Sequence, residues 1–244
     1  MGKFWGAFLG LLWLGVGSLS AFERGSHWVY LGGTPASAYA PNFLAPPVEA
    51  GLILGDSFTL GADASRSHFD LGHNEEDERY YRGMMSNGNM IGERWEILEY
   101  RLDLPTDAKA NGVHQSSGAV ARWFLTDTFN LRFAVHQKST EGQVELPVGQ
   151  TGLTAKGDYL ATTQIQSLGI GTQWQTQIGL IIGMDWALGA QTNQESVTAS
   201  IIQDPALTAT QSAEALIQVQ DFAQSINKLM ASSGGLNLFI GWAF

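Results

Sequence analysis

The chain has 244 residues, 44% of them hydrophobic and only 15% charged, with 29 glycines, 7 prolines and no cysteine. Its 13 basic and 23 acidic residues leave a formal charge of −10, and the basic residues do not cluster, which excludes a phosphate-neutralising nucleic-acid binder. The missing cysteine excludes a disulfide scaffold, a zinc-thiolate site, a thiol nucleophile and a lipoprotein anchor.

Residues 1–21 place one charge, Lys3, before an apolar run from Phe4 to Val16 and then the small residues Gly17, Ser18, Ser20 and Ala21. Charged, apolar, small is the order of a cleaved secretory signal peptide, and the run is short of the roughly 20 residues of a spanning helix. Residues 22–47 carry Pro35, Pro41, Pro46 and Pro47 and read as an extended lead-in or partial plug. Residues 48–244 are then expected to form the main domain.

Within that domain the dominant signal is period two. A first strand is expected within 48–69, although Asp56 interrupts the parity of Leu52, Leu54, Phe58 and Leu60. A hairpin turning at Asp56-Ser57 would add strands from residues 27–55 and raise an eight-strand count to ten. Further strands are expected at about 77–86, 90–103, 116–125, 128–139, 158–173, 176–191 and 235–244. In the clearest of them Phe129, Leu131, Phe133 and Val135 alternate with Asn130, Arg132, Ala134 and His136. Ile178, Leu180, Ile182, Met184, Trp186 and Leu188 share one parity, with Ile181 the exception on the other. Such alternation means strands with one apolar and one small or polar face. Between Trp95 and Tyr100 the apolar parity switches, which suggests a bulge or an ill-placed boundary.

Short connections are expected at Ser86–Asn89, Thr126–Thr128 and Gln173–Gln175, and long ones at 70–76, 104–115, 140–157 and 192–234. The last long one holds a different period: Leu216, Val219, Phe222, Ile226, Leu229 and Met230 recur every three or four residues. An amphipathic helix over about 211–231 follows, started by Ser212 and stopped by Gly234-Gly235. Its apolar stripe is expected on the loops or the barrel rim, or else in the lumen or at a membrane interface.

Aromatic residues gather at strand ends, at Trp123, Phe129, Trp174, Trp242 and Phe244, where a lipid-facing girdle would place them. The stretch Leu-Asn-Leu-Phe-Ile-Gly-Trp-Ala-Phe, with Leu238, Ile240, Trp242 and Phe244 on one parity, resembles the closing strand of Gram-negative outer-membrane β-barrels. The resemblance implies an all-β, transmembrane, antiparallel up-and-down barrel of about eight strands in the outer membrane. It also implies that those residues are the signal read by the barrel-assembly machinery. Partners implied are periplasmic chaperones, outer-membrane lipid and lipopolysaccharide.

An eight-stranded barrel has a lumen that side chains fill or that holds one small ligand. Arg122, Arg132, His136 and Asp185 lie on the polar parity and are the expected lumen residues, pairing across the interior or lining a narrow path for a small solute. The acidic run from Asp70 through His73, Glu75, Glu76, Asp77 and Glu78 lacks the spaced ligands and sharp Gly turn of a calcium loop. No metal and no cofactor is expected, and no phosphate loop is present. The function expected is structural, surface-interacting or solute-passing. The alternatives are a lipid-modifying barrel enzyme and a secreted soluble β-sandwich. For the enzyme, His114 and Ser116 meet part of the His-x-Ser-Asn pattern of lipid A deacylases, but Ser117 stands where that pattern has Asn.

Overall fold

The computed structural model describes residues 28–37, 48–55, 57–71, 80–86, 95–101, 108–149, 151–176, 178–202, 204–231 and 236–244. The expected signal peptide and the acidic residues 73–78 lie outside them.

Among the described residues there are ten strands: β1 (Trp28–Ser37), β2 (Val48–Leu54), β3 (Phe58–Leu71), β4 (Tyr80–Ser86), β5 (Trp95–Arg101), β6 (Lys109–Phe124), β7 (Phe129–Val148), β8 (Leu153–Gln175), β9 (Leu180–Ile202) and β10 (Leu236–Ala243), with the helix α1 (Ala209–Ala231) between β9 and β10. Eight of them close an antiparallel barrel in the order β1-β10-β9-β8-β7-β6-β3-β2. β4 and β5 form a separate two-stranded sheet.

The expected number of wall strands is therefore right, but its membership differs. The segment 22–47, expected as lead-in or plug, supplies β1, which pairs with both β10 and β2. The turn after Leu54 makes β2 and β3 a hairpin, the arrangement weighed for the ten-strand alternative. Of the strands expected at 77–86 and 90–103, the described residues form β4 and β5 and pair there with each other, in unbroken register, so the parity switch near Trp95 is no bulge in the wall.

β7, β8 and β9 also run far past their expected ends, to 20, 23 and 23 residues. The loop expected at 140–157 is instead a tight turn at 149–152, with Gly149 at φ 53° and Gly152 at φ 73°. Glycine takes such left-handed values without a Cβ penalty. At the opposite end the connections are short, at residues 55–57, 125–128 and 176–179. Gly179, at φ 90°, turns the chain so that its carbonyl accepts the Ala243 amide at 2.8 Å. Phe244 and Val29 exchange two backbone bonds, of 3.0 and 3.2 Å, and so fasten the seam between β10 and β1.

The two faces of the wall differ with height. Near the short-turn end the outward residues are apolar: Leu60, Phe133, Ile182, Leu238, Ile240 and Trp242 are each at least 44% exposed. Then the outward chemistry changes along register rows. One row runs Ala64, Ser117, Gln137, Gln164, Gln194, and the next runs Arg66, Gln115, Ser139, Thr162, Ser196. Inside, the change is opposite. Even residues of β7 point inward throughout, yet they pass from Asn130, Arg132 and His136 to the buried Val144, Leu146 and Val148.

The inner face above the transition is apolar because α1 packs on it. Ala215, Val219, Phe222, Ala223, Ile226 and Met230 are buried against Leu146, Ala155, Tyr159 and Ala161. The helix starts two residues before its expected start, and Thr208 rather than Ser212 caps it. The Gln211 amide donates to Thr208 Oγ1 at 3.3 Å while Gln211 Oε1 accepts the Thr208 amide at 2.9 Å. That reciprocal capping box satisfies amides which the first turn leaves without partners.

Candidate functional site

The inward parity of β2, β3, β6, β7 and β9 brings a charged cluster to the middle of the ring. Arg122 is 2% exposed. Its guanidinium forks onto Glu49, at 2.5 and 3.0 Å, and donates to Asp185 at 2.9 Å. Asp185 also faces Arg132 Nε at 3.4 Å. Arg122 and Arg132 are register neighbours, so Asp185 screens two adjacent like charges. Tyr30 donates its hydroxyl to Glu49 at 2.5 Å, and the Phe239 ring lies under the guanidinium at 5.0 Å from its carbon. Slightly higher, His136 Nε2 meets Asp63 at 2.7 Å.

The structure places the expected lumen residues as follows. Arg122, Arg132 and Asp185 meet in one network, and His136 stands apart from it on Asp63. Glu49, Asp63 and Tyr30 were not legible as partners. Their one signal is parity: Glu49, Gly51 and Ile53, then Thr59, Gly61 and Asp63, occupy the less exposed face of β2 and β3.

Glycine supplies the room for these large side chains. Gly118 lies between Asp63 and His136 in register, and a Cβ there would overlap the His136 ring and fall 2.9 Å from Asp63 Oδ1. Gly61 and Gly51 hold space for the Tyr30 hydroxyl in the same way. Gly118→Val is expected to destabilise the barrel by about 1–3 kcal/mol, the usual cost of overpacking. A lowered midpoint of the heat-induced mobility shift would register it, and an unchanged midpoint would show that the lumen has slack.

Above the cluster, the end of α1 is tied to the wall. Lys138 Nζ donates to the Met230 carbonyl at 3.0 Å and Thr140 Oγ1 donates to the Met230 sulfur at 3.0 Å. A cation at a helix C-terminus also matches the negative end of the helix dipole. Phe222 packs edge-on to Tyr159, with centroids 5.2 Å apart.

His114 faces inward, 2% exposed, with Nδ1 2.9 Å from Thr140 Oγ1. Ser117 is on the outer face, whereas Ser116 shares the inward parity of His114. The two residues that meet the partial motif thus share the inner side of the wall, and the Ser117 that stands in the Asn position lies on the other. Leu238, Ile240, Trp242 and Phe244 all point outward. At the far rim, Lys156 donates to Glu145 at 2.6 Å, and this bond holds the Glu145 carboxyl below its ordinary range. Among the described residues no group of three or more His, Asp or Glu could hold a metal.

No protein-family model matches the chain and no curated protein does. Among solved structures it is similar to a major outer membrane protein from Thermus thermophilus, at 8% identity over 90% of this chain and 100% of that one, with a TM-score of 0.41.

Proposed function

We propose that the chain is an outer-membrane β-barrel with a closed lumen, which works through its protruding wall and rim as a structural or surface-interaction protein. The observation that carries this reading is the outward apolar band on a ring with no free edge at that height. Lipid is the solvent that suits such a band, because a closed barrel leaves no backbone group unpaired in hydrocarbon. Crossing takes about 9–11 residues per strand, whereas a 23-residue strand such as β8 spans roughly 75 Å. More than half of its length therefore projects beyond the band.

The ion cluster and α1 occupy the interior in succession, which disfavours the passage of solutes. The lipid-modifying enzyme is disfavoured by His114, whose inward ring is out of reach of an acyl chain on the outer wall. Outer-membrane lipid, the barrel-assembly machinery and periplasmic chaperones are the partners of this reading. The test is extraction only by detergent, with heat-modifiable migration on a gel and no steady conductance in a planar bilayer. Solubility without detergent would sink the membrane assignment, and steady conductance would sink the closed lumen.

Leu238, Ile240, Trp242 and Phe244 are the proposed assembly signal. Removing Phe244 deletes both backbone bonds to Val29 together with the last apolar residue of the outward set. Folded, heat-modifiable protein in the membrane fraction is expected to fall severalfold, with unfolded chain accumulating in the periplasm. Undiminished folded protein would overturn the assignment.

A further inference from the structure

The outer face immediately beyond the apolar band is chemically unusual. Across β6, β7, β8 and β9 it carries Gln115, Gln137, Gln164, Gln166, Gln191 and Gln194, interspersed with Ser and Thr, and no charge. The register makes these rows contiguous, so their side chains form one polar sheet surface rather than scattered positions. Among the described residues, the one outward Lys or Arg in these rows is Arg66, at the β3 end of the second row. The next outward cations, Lys109 and Lys156, sit at the far rim, where Lys156 is already bound to Glu145. Glu141 and Asp158 stand between that rim and the glutamine zone.

We propose that this zone is a docking surface for the uncharged, hydroxyl-rich headgroups of glycolipids. The inference rests on the membrane reading above, since that reading puts headgroups at this height. Side-chain amides and hydroxyls offer paired donors and acceptors without charge, which is what a sugar ring presents in return. A phosphate layer would call for lysine and arginine, whose charge-assisted bonds are the strong ones, and would meet Glu141 and Asp158 with like charge. The zone thus favours sugars over lipid phosphate by what it lacks as much as by what it holds.

The test uses the full chain reconstituted into phosphatidylcholine vesicles alone, with digalactosyldiacylglycerol, or with phosphatidylglycerol at an equal fraction. The expected result is a higher midpoint of the heat-induced mobility shift with the galactolipid and no comparable rise with phosphatidylglycerol. After transfer to detergent, galactolipid is expected to stay bound in preference. Gln137→Ala with Gln164→Ala is expected to weaken that retention about fivefold for each hydrogen bond lost, with insertion into plain phosphatidylcholine unchanged. An equal response to both lipids, or a double variant that retains galactolipid like the parent, would overturn the docking surface and leave the barrel standing. Failure to insert into plain phosphatidylcholine would overturn the membrane reading and this proposal with it.

Discussion

Replacing Arg122 with methionine is expected to destabilise the ring by about 3–5 kcal/mol, because it removes the cation from a buried network and leaves its carboxylates behind. Glu49 would keep only the Tyr30 hydroxyl, and Asp185 only Arg132 at 3.4 Å. Both carboxylates are buried, Glu49 at 4% and Asp185 at 7% exposure, so solvent cannot take over. The midpoint of the heat-induced mobility shift, or of urea unfolding in vesicles, should fall accordingly. A triple variant, Arg122→Met with Glu49→Gln and Asp185→Asn, should recover most of the loss, since the neutral set has no charge to strand. If the single variant unfolds like the parent, the cluster is not what closes the lumen. If the triple variant is no better than the single one, the loss comes from packing on Phe239 rather than from charge.

Phe222→Ala is expected to cost about 3–5 kcal/mol, the range for deleting a fully buried aromatic ring, and to spend it on the helix rather than on the barrel. Phe222 is 0% exposed and packs edge-on to Tyr159. α1 lies in the connection between β9 and β10, so its release leaves every ring pairing in place. Amide exchange over 209–231 should accelerate while heat-modifiable migration persists. Gly157→Leu should act similarly from the other side, because a Cβ there would fall 2.6 Å from Val219 Cγ2. Joint loss of helix protection and barrel mobility would show that the helix is part of the ring's cooperative unit.

The lower halves of β7, β8 and β9, and all of β10, were legible because their two faces differ in kind. Phe133 and Val135 alternate with Ala134 and His136, and only period-two backbone separates them so cleanly. The same logic put Arg122, Arg132, His136 and Asp185 on the inward parity, and the helix was legible from its own period. The hairpin of β4 and β5 alternates poorly, with Tyr80 beside Tyr81 and a parity switch between Trp95 and Tyr100, yet nothing local says that it pairs with itself rather than with the wall. β1 was legible only in the ten-strand alternative, with its pair from residues 27–55, because Pro35 falls within it and Pro41, Pro46 and Pro47 follow. Glu49 and Asp63 were hidden because an ion partner is chosen across strands far apart in sequence.

The sequence by itself determined which side chains share a face, since alternation is a property of the backbone and survives without neighbours. Tertiary structure alone decided which faces meet lipid, water or helix, and that decision explains the misplaced strand ends. In β7 the apolar parity is odd at Phe133 and Val135 but even at Val144, Leu146 and Val148. The strand does not break between them; its surroundings exchange. Below Gln137 the apolar side faces out and the charged cluster lies within, whereas above it the outside is polar and the inside is filled by α1. A parity inversion read along one chain looks like the end of a strand, and only the packed helix shows that it is the continuation of one.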